Sequence, residues 1–177
     1  MPLKGKKVIV LAENLYQELE LWYPVLRLRE ESAKVIIVGS GSSSSYTSKF
    51  GYPVDVDKEA EEVDIEEYDG IIIPGGYAPD HMRRYPAMVK LVADMYAQRK
   101  LVGAICHGAW MLASAGVLRG KTVTGFFSIK DDLINAGATF IDVEVVADGK
   151  LVTSRMPDDL PAFMKEVIGI LRDREST

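Results

Sequence analysis

Leu101-Val102-Gly103-Ala104-Ile105-Cys106-His107-Gly108-Ala109-Trp110 is the stretch on which the reading of the chain turns. A run of apolar residues with the length of a fully buried strand leads straight into a helical pattern, and a cysteine stands at the junction. Ala104 and Gly108 flank it two positions away on each side. This is the layout of a nucleophile elbow, with Ala in place of the first Gly and Cys in place of Ser. Small neighbours let the backbone turn tightly and leave the side chain exposed. A helix N-terminus behind the turn offers partial positive charge, which favours thiolate, and backbone N–H groups that can hold an oxyanion. A lone cysteine elsewhere is more often buried and inert. Here its position and small neighbours favour function. His107 fits either a base or orienting partner for the thiol or a structural role.

Outward from this turn the chain repeats one theme. Lys7 to Ala12, Ala33 to Val38, Gly70 to Pro74 and Leu101 to Ile105 read as buried strands. Between them lie a helix from Glu18 to Glu31, with Leu19, Leu21, Trp22, Val25, Leu26 and Leu28 as its apolar face, and one from about Pro79 to Arg99, broken near Pro86. Pro24 suggests that the first of these begins near Tyr23, after a short turn. A helix from His107 to Ala115 ends at Gly116, a natural C-terminal cap. There follow a short strand at Thr122 to Thr124, a helix near Ile129 to Asn135, strands near Glu144 to Ala147 and Leu151 to Thr153, and a last helix from Leu160 to Arg172. Continuous apolar strands alternating with helices predict a mostly parallel sheet with helices on both faces, in a single domain over residues 1–177. Ligands then bind beyond the carboxyl ends of the strands. Those ends carry Glu13-Asn14, Gly39-Ser40-Gly41, Pro74-Gly75-Gly76 and Cys106-His107-Gly108.

Composition excludes several classes. The balance of 26 acidic against 21 basic residues, net −5, argues against nucleic acid as the main partner and against an anionic membrane. No apolar run approaches the roughly 18 residues of a membrane span. The basic start, Met1 to Lys7, is followed only by Val8 to Ala12 before Glu13, which reads as a first strand and not as a signal peptide. One cysteine forms no internal disulfide, so nothing points to an oxidising compartment and a cytoplasmic setting is expected. With only His81 and His107 beside it, no metal site is expected. The loop Gly39 to Ser45 begins like a dinucleotide fingerprint but lacks its last glycine and the helix after it, and reads as a flexible Ser-rich loop. Lys58 to Asp69 reads as an acidic, solvated face, and His81 as a surface or capping residue. Gly75-Gly76 is either an oxyanion-side turn or a plain tight turn. Glu18 and Glu20 read, on pattern alone, as helix-start acids.

Taken together, Ala104-Ile105-Cys106-His107-Gly108, Ile73-Pro74-Gly75-Gly76, Glu20 four residues before Pro24, and Asp131-Asp132-Leu133-Ile134-Asn135-Ala136-Gly137 resemble the PfpI family of the DJ/ThiJ/PfpI superfamily, from Lys6 to about Leu171. The resemblance implies a flavodoxin-like three-layer α/β sandwich, related to class I glutamine amidotransferase domains. Cys106 matches the family's nucleophile, Glu20 the buried acid that hydrogen-bonds it, and Gly75 and Gly76 the oxyanion-side turn, with His107 beside the nucleophile. Asp80 matches the acid that reaches His107 across a subunit contact, one methylene shorter than the usual Glu. Met156, in the segment before the last helix, offers no titratable group and takes no catalytic role. The resemblance further implies a homodimer or homohexamer, no cofactor, and a small carbonyl or a peptide as substrate. Three functions follow: a glyoxalase or deglycase acting on reactive carbonyls, an intracellular peptidase or amidase, and a non-enzymatic redox sensor whose Cys106 oxidises.

Overall fold

A computed structural model describes residues 3–172; Met1 and Pro2, part of the basic start, lie outside the described residues. The elements in chain order are β1 (Lys7–Leu11), α1 (Glu18–Glu30), β2 (Lys34–Gly39), β3 (Ser45–Thr47), β4 (Pro53–Asp55), β5 (Lys58–Glu59), β6 (Gly70–Ile73), α2 (Ala78–Met82), α3 (Pro86–Ala97), β7 (Leu101–Ile105), α4 (Ala109–Ser114), β8 (Thr122–Val123), α5 (Lys130–Asn135), β9 (Thr139–Phe140), β10 (Val145–Asp148), β11 (Leu151–Ser154) and α6 (Leu160–Arg172). The main sheet runs β10-β11-β7-β6-β1-β2-β5. Every pair in it is parallel except β10 with β11. α1 and α6 pack on one face, and α3 on the other, with α4 beside it and α2 and α5 against α4. The expected sandwich is present, as are its helix boundaries at α2, α3 and α6.

β6, β7 and β1 are buried almost throughout because both of their faces are covered. From β1 the chain moves to β2 on one side and later returns to β6 on the other. The crevice at such a reversal lies outside the carboxyl ends of the two strands. It brings together the ends of β1, β6 and β7, which are distant in sequence.

Three features differ from the expectation. α1 begins at Glu18, not near Tyr23, and runs through Pro24. The Gln17 side chain caps it, accepting the Glu20 N–H at 2.9 Å, and burial of Leu21, Val25 and Leu28 offsets the donor that Pro24 removes. Leu19 and Leu26, placed on the apolar face by sequence, are 55% and 60% exposed, because the buried stripe is centred on Leu21, Val25 and Leu28. A hairpin of β3 and β4 follows the Ser-rich loop, and β5 begins the acidic stretch, which continues as two short 3₁₀ turns.

Gly108 shows how tightly the elbow is packed. A Cβ there would lie 2.4 Å from the Ile73 carbonyl oxygen at the end of β6. The oxygen belongs to the backbone and the Cβ position is fixed by that of Gly108, in the crowded junction of β6 and β7, so neither can swing aside. Gly108→Ala is expected to lower unfolding stability by about 3 kcal/mol in a denaturant titration, the upper range for overpacking. An unchanged midpoint would contradict this packing.

Candidate active site

Cys106 directly ends β7 and opens a single 3₁₀ turn, Cys106–Gly108, before α4. Its φ is +60°, in the left-handed region that a residue with a Cβ enters at a cost. This is the backbone signature of the elbow that the sequence implied. The turn aims the side chain back across the end of the sheet. Cys106 is 7% exposed and faces a cleft of about 440 Å³ lined by Gln17, Glu20, Lys49, Gly76, Tyr77, His107, Phe126 and Pro157.

Glu20, in the first turn of α1, is fully buried beneath that cleft. Its Oε2 accepts the Gly75 N–H at 2.8 Å, while Oε1 has no hydrogen-bond partner among the described residues. Gly75 makes the close approach possible. A Cβ there would stand 2.5 Å from Glu20 Oε2 and 2.8 Å from Cys106 Cβ. The Gly75 N–H is therefore spent on Glu20. The backbone N–H groups of Gly76 and His107 are the ones that favour the thiolate of Cys106, pulling its pKa down against burial.

The charges at this cluster oppose one another. Burial raises the Glu20 carboxyl to about 7, against the pull of the Gly75 N–H, Cys106 and Lys49. Burial also pushes the Cys106 thiol up, to about 12, and the Glu20 carboxylate adds to that rise. The lowered thiol pKa expected from a helix N-terminus is not found. A helix end contributes roughly 1 kcal/mol, and burying a charge costs several. The α4 terminus is moreover set back from the sulfur by the 3₁₀ turn. Between those two steps the pair holds one proton. Its thiolate form is the one in which that proton sits on Glu20.

His107 lies with Nδ1 3.2 Å from Cys106 Sγ and Nε2 3.3 Å from Ser128 Oγ. Its ring stacks on Phe126 at 4.9 Å and meets the edge of Trp110 at 5.0 Å. Burial, with a smaller contribution from Lys49, lowers its pKa and keeps it neutral. Asp80, on α2, forms an ion pair with Arg84 one turn on and, among the described residues, makes no hydrogen bond or ion pair with His107 of the same chain. His81 is half-buried and packs edge-on against Tyr77 at 5.3 Å. Pattern reasoning missed Lys49, Phe126 and Ser128. Lys49 sits in a turn after β3, and Phe126 and Ser128 at and within the 3₁₀ turn that follows β8, with no motif of their own. Among the described residues no cluster of three His, Cys, Asp or Glu side chains could hold a metal ion, and no helix is long and apolar enough to cross a membrane.

An α/β sheet with a strained cysteine at a strand-to-helix elbow and a buried acid against it defines a narrow class of proteins. The chain belongs to the DJ-1/PfpI family, whose model matches residues 6–169. The deglycase PfpI of Pyrococcus furiosus is 43% identical over 166 residues, covering 94% of this chain and 99% of that protein. YraA of Bacillus subtilis, provisionally named a cysteine protease, is 38% identical over 168 residues, covering 95% and 99%. Among solved structures, a two-domain protein of Anabaena variabilis with DJ-1/ThiJ/PfpI-like and ferritin-like domains superposes with a TM-score of 0.92 at 40% identity, over 94% of this chain and 48% of that one.

The shared proton sets a pH dependence. Below about 7 both groups are protonated and the sulfur is a thiol; above it the pair has lost one proton and the thiolate form becomes accessible. Alkylation of Cys106 by iodoacetamide is expected to rise through this range. In Glu20→Gln that step disappears and the rate near neutral pH falls by about tenfold, because no internal base takes the thiol proton. The same pH profile in both proteins would contradict the pairing.

Proposed function

We propose that the protein is a cysteine-dependent enzyme of small reactive carbonyls, converting 2-oxoaldehydes such as methylglyoxal to 2-hydroxy acids, or starting from the same carbonyls already added to an amine. The observation that carries this reading is the strained Cys106 beside a buried carboxyl whose Oε1 has no partner, at the floor of an open cleft. The deglycase names of relatives support it.

In this reading the Cys106 sulfur forms a bond to the aldehyde carbon, and the aldehyde oxygen takes the proton held by Glu20. The Gly76 and His107 N–H groups steady the oxygen as charge builds on it. Glu20, now ionised, removes the hydrogen from the same carbon, giving an enediolate whose hydroxyl proton passes to the neighbouring oxygen. The proton returns at the neighbouring carbon, leaving a thioester. Water attacks that thioester with neutral His107 as base; the C–S bond breaks and the thiolate is restored. Methylglyoxal and water give lactate and one proton, with no external oxidant. The route uses no cofactor. Starting from an amine adduct, the C–S bond forms as the C–N bond breaks, the departing amine takes the proton held by Glu20, and the same later steps follow.

A peptidase or amidase reading uses the same sulfur and His107 and is supported by the name given to YraA. It needs Asp80 of a second copy to orient His107, since in this chain Asp80 is engaged by Arg84. A homo-oligomer suits the exposed Leu19 and Leu26 on α1. Light scattering reads this directly, and a monomer would remove Asp80 from the site. A cytoplasmic setting, where the single thiol stays reduced, belongs to the same reading.

Purified protein is expected to form lactate from methylglyoxal without glutathione. Cys106→Ala abolishes turnover, and Glu20→Gln lowers kcat by about 10²- to 10³-fold, as for loss of a general acid–base. Absence of turnover in the wild type, with Cys106 unoxidised, would reject the carbonyl reading in favour of the peptidase.

A further inference from the structure

One cation overlooks the cleft. Lys49 lines it, is exposed in the turn two residues beyond β3, and makes no ion pair among the described residues. Its place is fixed by backbone bonds. The Lys49 N–H donates to the Tyr16 carbonyl at 2.9 Å, and Tyr16 bridges in turn to Gly76 beside the sulfur. The turn beyond Lys49 is tied to α1: Glu18 Oε1 accepts the Phe50 N–H at 2.7 Å. Ser48 Oγ closes the same turn by accepting the Tyr52 N–H at 2.8 Å. Glu18 is thus a strut between α1 and the hairpin tip, which gives the second acid of the Glu18/Glu20 pair a role of its own.

We propose that Lys49 is an anion subsite that selects carbonyl compounds carrying a carboxylate, and that Glu18 is the positioning residue that holds it over the cleft. A single ammonium matches a single carboxylate. A phosphate dianion would find no second cation in the lining, and Glu20 lies below it. Lys49 acts electrostatically on both Glu20 and His107, so its charge is felt at the floor of the cleft that it lines. The substrate class rests on the carbonyl reading above; the subsite does not. A fitting substrate is a 2-oxoaldehyde that ends in a carboxylate, such as 4,5-dioxopentanoate, which with water gives 2-hydroxyglutarate by the same steps.

The test compares two alkylating agents of nearly equal size at Cys106, anionic iodoacetate and neutral iodoacetamide. The ratio of their rates cancels changes in thiolate content. In Lys49→Met this ratio is expected to fall about fivefold at low ionic strength and by less in added salt, whereas Lys49→Arg keeps it. Glu18→Ala removes a negative charge, which alone would raise the ratio; release of the hairpin tip lowers it, and Glu18→Gln, which keeps the acceptor, restores it. A ratio unchanged in Lys49→Met overturns the subsite, and a raised ratio in Glu18→Ala overturns the strut. kcat/KM for 4,5-dioxopentanoate relative to methylglyoxal should fall by a similar factor in Lys49→Met. If neither compound is turned over while the alkylation ratio still falls, the carbonyl chemistry fails and the anion subsite stands.

Discussion

A carboxyl group without water governs the carboxyl-terminal edge of this sheet. Glu20 is fully buried, and one backbone N–H, that of Gly75, is what makes its burial tolerable. An unpaired buried carboxylate is costly, and a single hydrogen bond returns only part of that cost. Its proton therefore stays to near neutral pH. The rest of the site follows from where that bond places the acid. α1 must start at Glu18 for Glu20 to point inward, the turn after β6 must set Gly75, which has no side chain, against its carboxyl, and β7 must deliver Cys106 against that same turn.

The cysteine adds a second cost. A left-handed backbone at a residue with a Cβ costs on the order of 1–3 kcal/mol and persists only where the surroundings impose it. Here close contacts between the β6 end and the turn impose it. The strained turn aims the sulfur at the acid and at the Gly76 and His107 N–H groups. His107 is wedged between Phe126 and Trp110 and held neutral, ready to accept a proton. The thiolate form of this sulfur is reached by proton exchange with Glu20. A helix end alone would not overcome burial.

The layered sheet was legible in the sequence because buried parallel strands leave continuous apolar runs, and α6 carries a clean helical period. β3, β4 and β5 were not, since strands this short show only one buried side chain each, or none, such as Tyr46 and Val54. Pro24 misled because its local cost is real, and only the packing of Leu21, Val25 and Leu28 overrides it. Cys106 stood out through the elbow pattern. Glu20 did not, and needed the family resemblance, because a buried acid in a first helical turn looks like any helix-start acid. Lys49 reaches the cleft, and Ser128 reaches His107, through chain crossings that no spacing reveals.

The most direct measurement is the carboxyl ¹³C shift of Glu20 in isotope-labelled protein, followed from about pH 4 to about pH 9 across the ordinary carboxylate range. The account predicts a carboxyl that remains protonated through the acid range and titrates near 7. A midpoint near 4.5, the value of an unburied glutamate, would contradict it.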